Sequence, residues 1–363
     1  MSPFIAQPLP LKKIAWPDLI TSIVKANSAI ARYDGQLQGI PNPSVLLSPL
    51  MTQEAVLSSK IEGTQATLEE VLKFEADPKK ITEKYEDIEE IINYRKSLSF
   101  AEGYLQNRPV CLNLIRDMHR VLLNGVQGQN RGRGEFRRIQ NWIGKPNTPI
   151  EQATYIPPPP NQVLECLSNW EKYYHYEEKD ALIQLAILHA QFELIHPFLD
   201  GNGRIGRILI PLFLFDKKTL SSPMFYISAY FESSRNEYYS SLLAISEDDN
   251  WTGWIKYFLK AVTEQAKDNG QKAKDIMSLY DAMKERITDL THSRFSIQTL
   301  DVLFHRPIFN SSYFARHSQI PKPSAARILK VLSENGIVRL IAPAKGQKPG
   351  LYIFPELLRI VQP

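Results

Sequence analysis

The chain has 363 residues, 43% of them hydrophobic and 23% charged, which is the balance of an ordinary globular protein and excludes disorder. At about 150 residues per domain this length predicts two or three domains. With 43 basic residues against 39 acidic ones the net charge is +4, so the total shows no strong polyanion footprint and neither requires nor excludes nucleic acid. Cys111 and Cys166 have no metal-ligand spacing and form no disulfide framework, as suits a reducing cytoplasm. The start of the chain lacks a charged region followed by an apolar one, and no run approaches the ~20 apolar residues of a membrane span. The expectation is an untargeted, soluble, cytoplasmic protein with no membrane partner.

In chain order, "WPDLITSIVKANSAIARYDGQL" predicts a helix stopped by Gly, "GIPNPS" a turn, and "SVLLSPLMTQEAVLSSKIEGTQATLEEVL" a helix that Gly63 ends. Ser58 and Glu62, four residues apart, share a face of that helix. "TEKYEDIEEIINYRKSLSFAEGYL" and "LNLIRDMHRVLLNGV" predict two more helices. Then "GEFRRIQNWIG" and "ATYIPPPP" flank the polar stretch "KPNTPIEQ", a pattern that predicts a β-hairpin. Four prolines, Pro157 to Pro160, hold an extended segment before the helix "NQVLECLSNWEKYYHY". "ALIQLAILHAQFELI" is apolar nearly all round and predicts a buried central helix, as does "IGRILIPLFLFDK". Two further helices follow in "SSRNEYYSSLLAISEDDNWTGWIKYFLKAVTEQAKDNG". The stripe Ile276, Tyr280, Met283, Ile287 and Leu290 then predicts a bridging helix. From Phe295 onward, helix-turn-helix segments and the strand-like runs "IVRLIA" and "GLYIF" resemble a winged helix-turn-helix.

Between the two buried helices lies "HPFLDGNGRIGR", residues 196–207. Three glycines there would each cost a helix interior roughly 1 kcal/mol against Ala, so the backbone conformation must matter. A Gly-rich turn opening a helix forms an anion cradle from its N–H groups and the positive end of the helix dipole. Arg204 and Arg207, three apart, share one face and present planar forks suited to phosphate oxygens. Asp200 is a single carboxylate, which is enough for Mg²⁺ when substrate phosphates complete the shell. His196 has the pKa range of a general base near neutrality. Together these residues suit a nucleoside triphosphate, a metal ion and a base that deprotonates an attacking hydroxyl.

The stretch resembles the signature of Fic-domain protein adenylyltransferases, His-Pro-Phe-x-Asp/Glu-Gly-Asn-Gly-Arg-x-x-Arg, at every specified position, and the resemblance extends over roughly residues 110–260. It implies transfer of AMP from ATP to a Ser, Thr or Tyr hydroxyl of a target protein, with release of pyrophosphate. It also implies His196 as the base and Asp200 as the Mg²⁺ ligand. Gly201, Asn202, Gly203, Arg204, Ile205, Gly206 and Arg207 would bind ATP, with Arg204 and Arg207 on the β- and γ-phosphates, and Tyr239 falls where the family places an adenine-contacting aromatic. The hairpin at residues 140–156 would be a flap that registers the target by strand addition. "SSKIEG" matches the family's inhibitory pattern Ser/Thr-x-x-x-Glu-Gly/Asn, which makes Ser58, Glu62 and Gly63 an inhibitory element. Self-modification is expected, and the oligomeric state, a homodimer included, stays open.

The expected architecture is mainly α. It has an N-terminal helical region at residues 1–105, a Fic-type core with its flap at 106–264, a bridging helix at 265–294 and a winged helix at 295–363. Lys322, Arg327, Lys330, Arg339, Lys345 and Lys348 would permit DNA backbone contact by the last of these, with protein as the other partner class. Two alternative functions remain at this point: a transferase of another nucleotide or phosphoryl group, and a DNA-binding regulator whose core senses nucleotide.

Overall fold

A computed structural model of the chain describes residues 2–78, 83–125, 132–144 and 148–362. It is mainly helical. The elements in order are α1 (Trp16–Gln38), α2 (Pro43–Leu46), α3 (Ser48–Ile61), α4 (Leu68–Ala76), α5 (Tyr85–Leu105), α6 (Leu112–Leu122), α7 (Val163–Tyr174), α8 (Ala181–Ile195), α9 (Asn202–Asp216), α10 (Ser228–Ser233), α11 (Arg235–Asp248), α12 (Trp251–Thr291), α13 (Ser296–His305), β1 (Ile308–Asn310), α14 (Ser311–His317), α15 (Lys322–Glu334), β2 (Arg339–Ala342), β3 (Leu351–Ile353) and α16 (Pro355–Val361). No helix among the described residues is long and apolar enough to cross a membrane.

The chain divides into two compact units: Met1–Asp34, Leu57–Gly63 and Asn93–Lys267 form one, and Gly35–Val56, Thr64–Ile92 and Asp268–Pro363 the other. In the first unit α8 is the axis of the core, buried along almost its whole length as its apolar sequence requires. The Asp180 side chain caps it by accepting from the Leu182 and Ile183 N–H groups. Three aromatic donors fasten its carbonyls: Trp254 to Ala186 at 2.8 Å, Trp170 to Leu188 at 2.8 Å and Tyr155 to Leu194 at 2.6 Å. Helix α9 packs beside it, its residues Asn202 to Leu214 all buried.

In the second unit β1, β3 and β2 form an antiparallel sheet in that order, with Ile308 and Arg339 both opposite Ile353. Helix α4 packs against β1, and a capping box starts α4: Glu70 N–H donates to Thr67 while Thr67 N–H donates to Glu70. Among the basic side chains named for DNA, Arg327 donates to the Thr291 carbonyl at 3.3 Å and Lys348 pairs with Asp77 at 3.6 Å.

Three local expectations change. Over residues 140–156 the pairing among the described residues is one antiparallel bridge, between Ile143 and Tyr155, and residues 145–147 of the expected hairpin lie outside the described residues. Pro149 and Pro157 to Pro160 carry no N–H for a ladder, and Ile150–Gln152 forms a 3₁₀ turn instead. The helix ending near residue 270 and the bridging helix after it are one helix, α12. Gly270 marks close packing and not a stop: a Cβ there would lie 2.3 Å from Gln36 Oε1. The stripe still faces inward, with Ile276, Met283 and Ile287 buried. Helices α4 and α16 and strand β1 escape a pattern search because each is short.

Candidate active site

The loop between α8 and α9 is held from several sides. His196 ends α8 in the left-handed region at φ 48°, a conformation uncommon for a residue with a Cβ and a frequent mark of functional sites. Buried Arg137 holds it there, donating to the carbonyls of His196 at 2.9 Å, Ile195 at 3.3 Å and Pro158, while its own N–H donates to Pro197. Asn141 donates to the Phe198 carbonyl at 3.0 Å. Asn202 bonds Phe198 twice, accepting from its N–H at 2.8 Å and donating to its carbonyl at 2.9 Å. Phe198 stacks on His119 with ring centroids 3.8 Å apart. His119 Nδ1 accepts from the Gly134 N–H, so Nε2 carries the proton and donates to the Asp200 carbonyl at 3.0 Å. Gly201 then turns at φ 77° and opens α9.

A carbonyl can only accept, so the contact between His196 Nδ1 and the Glu193 carbonyl at 3.2 Å places the proton on Nδ1 and leaves Nε2 as the basic nitrogen. Burial brings this imidazole down to about 4, against the opposing pull of the Glu193 carbonyl, so it is neutral well below the range expected from its residue type. His189 is likewise neutral: burial lowers it to about 3, and it bridges the Gly206 carbonyl and the Tyr238 hydroxyl.

The two arginines of the loop are engaged by carboxylates of the chain itself. Arg204 donates to Asp200 at 3.0 Å, and the same Asp200 oxygen accepts from the Gly201 N–H at 2.6 Å. Arg207 donates to Ser58 Oγ at 2.8 Å, to the Ser58 carbonyl at 2.9 Å and to Glu62 at 2.6 Å. Burial works against the Glu62 charge, yet Arg207, joined by Arg204, holds the carboxyl below its usual range. Glu62 occupies the space above Gly203, where a Cβ would meet its Oε1 at 2.1 Å, so a carboxylate already lies in the cradle at the start of α9. Gly63, at φ 112°, ends the helix that delivers it.

Glu62, His196, Gly203 and Arg207 line one cavity of about 750 Å³, whose wall also includes Trp142, Ile143, Glu193, Tyr238 and Tyr239. The volume suits a nucleotide-sized ligand. Tyr239 stands on the wall with part of its ring exposed, and burial pushes its hydroxyl up to about 12. Among the described residues no group of three or more His, Cys, Asp or Glu gathers as a metal cage. A single carboxylate, Asp200, beside an anion cradle fits a Mg²⁺ that takes its remaining oxygens from phosphate and water, and does not fit a resident metal. The structure thus brings together His196, Asp200, Gly201 to Arg207, Tyr239, Ser58, Glu62 and Gly63. Sequence reasoning missed Arg137, Asn141, His119, His189 and Glu193; none sits in a recognisable spacing, and each acts through main-chain atoms or burial.

Comparison with known proteins finds likeness at the level of family and fold. The model described as Fic/DOC family N-terminal matches residues 20–102, and the Fic/DOC family model matches residues 109–214. A protein adenylyltransferase Fic of Drosophila grimshawi is 27% identical over 199 residues, covering 53% of this chain and 36% of that protein. Protein adenylyltransferase fic-1 of Caenorhabditis briggsae is 29% identical over 131 residues, covering 34% and 24%. The chain spans about a third of the length, or less, of these curated relatives. Among solved structures, a Fic family protein from Desulfovibrio desulfuricans superposes with a TM-score of 0.61 at 18% identity, covering 96% of this chain and 98% of that one. Fic-1 from C. elegans superposes with a TM-score of 0.51 at 18% identity, covering 73% and 74%. From its N-terminal helices through the loop at 196–207 to α9, the chain belongs to the Fic/DOC family.

Proposed function

We propose that the protein transfers AMP from ATP to a hydroxyl of a protein target and that Glu62 holds this activity in check. The observation that carries the reading is the Glu62 carboxylate in the cradle above Gly203, bonded to Arg207: a negative group sits where a polyphosphate oxygen would bind. When the helix end at 58–63 withdraws, the α9 N-terminus, Arg204 and Arg207 receive the β- and γ-phosphates. The target hydroxyl oxygen then forms a bond to the α-phosphorus while the bond to the β-phosphate bridging oxygen breaks and pyrophosphate leaves. The hydroxyl proton passes to His196 Nε2. Asp200 would hold Mg²⁺, which supplies charge neutralisation to the phosphates. Tyr239 lines the wall on which the adenine would rest. Trp142 and Ile143, both partly exposed at the cavity, support a target segment lying along the bridge between Ile143 and Tyr155.

In the C-terminal module the order helix, strand, two helices and a hairpin supports a winged helix-turn-helix. Arg327 and Lys348 are engaged inside their own unit, and no DNA role is carried into this reading.

The test is ATP labelled at the α-phosphate, given to wild-type and Glu62→Gly protein. Label is expected on protein, and much more of it with Glu62→Gly. Equal labelling by both would remove the inhibitory role, and nucleotide binding without any transfer would remove the transferase reading.

A further inference from the structure

Arg207 is a guanidinium with 1% of its side chain exposed, and a buried charge that loses its partner is strongly destabilising. The proposed cycle, on which this inference rests, takes away all three of its acceptors at once, because Ser58 and Glu62 leave on the same helix end. Before nucleotide arrives the cation needs another anion.

Glu62 and Glu193 are the carboxyls that line the cavity. Glu193 lies in the last turn of α8, and its Oε1 is buried without a hydrogen-bond partner. The missing side chain of Gly206 makes room for it: a Cβ there would lie 2.2 Å from Glu193 Oε1. Gly206 precedes Arg207, so this oxygen lies against the turn of α9 that carries the guanidinium. A buried, unbonded carboxyl oxygen is costly unless a second state uses it.

We propose that Glu193 is the reserve counter-ion of Arg207: protonated while Glu62 is docked, it releases its proton and pairs with the guanidinium when the helix end withdraws, and nucleotide phosphate must displace it. Burial pushes the Glu193 carboxyl up to about 8, with Arg207 pulling it down and Glu62 pushing it further up, so removing Glu62 favours ionisation. Arg207 on α9 and Glu62, just past the end of α3, are the charged groups that act on it. Tyr238, buried, and Tyr239, partly exposed, both on α11, have hydroxyls raised above the ordinary phenol range and are neutral, as is His196 at the end of its own helix.

The experiment is calorimetric titration of the full chain with a non-hydrolysable ATP analogue and Mg²⁺, in buffers of different ionisation enthalpy. Wild type, Glu62→Gly, Glu193→Gln and the double variant are compared, and Glu193→Asp in the Glu62→Gly background keeps the carboxyl as a control. Nucleotide binding to Glu62→Gly is expected to take up close to one proton as displaced Glu193 is protonated again. The double variant is expected to lose that uptake and the Asp variant to keep it. Glu193→Gln is expected to tighten binding about 5-fold or more in the Glu62→Gly background and clearly less in wild type. Equal proton uptake with and without the carboxyl, or the same affinity change in both backgrounds, overturns the inference alone. If Glu62→Gly itself does not tighten binding, the autoinhibition reading falls and this inference with it.

Discussion

The loop at residues 196–207 and the helix end at residues 58–63 meet on one guanidinium, and they are held by different means. Around the loop the contacts are buried and fall mainly on main-chain atoms: Arg137 on three carbonyls, Asn141 and Asn202 on Phe198, and His119 on Asp200. Around the helix end the polar contacts other than those with Arg207 are peripheral, Lys60 pairing with Glu232 at 3.2 Å with its side chain 55% exposed and Arg235 donating to the Ile61 carbonyl, while Ser58, Ser59 and Ile61 themselves are buried. Exposed pairs of this kind contribute about 0–1 kcal/mol, whereas a buried acceptor left unsatisfied costs about 1–3 kcal/mol. The difference teaches that the loop is clamped through its main chain, whereas the helix end is held by its buried side chains and by the contacts with Arg207.

The comparison breaks hardest at His196. In the Glu62→Gly background, His196→Ala is expected to lower transfer by about 10²–10⁴-fold, the usual contribution of a general base, with nucleotide affinity little changed. Single-turnover labelling checks this, and near-normal transfer would sink the role. Next, Arg137→Met leaves the buried carbonyls of Ile195, His196 and Pro158 without their donor and is expected to cost about 2 kcal/mol or more in urea unfolding. A loss as small as that of a surface variant would show that the loop is not clamped as described.

Arg235→Ala addresses the other side. It removes the donor to the Ile61 carbonyl and is expected to raise self-modification a few-fold, about 1 kcal/mol, at little cost in stability. Unchanged labelling would mean the Arg235 contact does not help to hold the helix end. The remaining test is acid sensitivity, which bears on the whole core and not on one side of the comparison. Buried His119 and half-buried His196 fall to about 4 and buried His189 to about 3 in the folded state, so the unfolded chain binds more protons below its ordinary 6.5. Their contribution to stability is complete above about pH 6.5 and is lost as pH falls toward 4. Melting midpoints across that window check the sign, and a flat profile would argue against neutral buried rings.

Much of this arrangement is legible before any coordinates. An apolar run such as "ALIQLAILHAQFELI" has one stable home, and a Gly-rich turn directly after it must open the next helix, so the placement of the loop follows from pattern alone. What stays hidden has physical causes. Arg137 has the composition of a surface residue, and only tertiary packing turns it inward. Glu193 is a single acid in an apolar helix, a position where sequence cannot tell an exposed edge from a buried cavity wall. The flap reads as a hairpin because its flanks are apolar, but its prolines leave too few donors for a ladder. Gly270 reads as a stop because glycine often ends a helix, whereas here it admits the side chain of a neighbouring helix.

The contact of Ser58 and Glu62 with Arg207 also has a consequence for competition. An inhibitor carried in the same chain behaves as a tethered ligand, with an effective concentration on the order of millimolar for a short connection. Under the proposed function Glu62 would therefore compete at a fixed strength that neither dilution nor expression level changes. ATP at comparable concentration would have to win against it on affinity, and a partner that bends residues 58–63 away by a few ångströms would lower the competitor's concentration without touching His196. A detached peptide with the sequence "SSKIEG" is accordingly expected to inhibit far less than the same six residues in place.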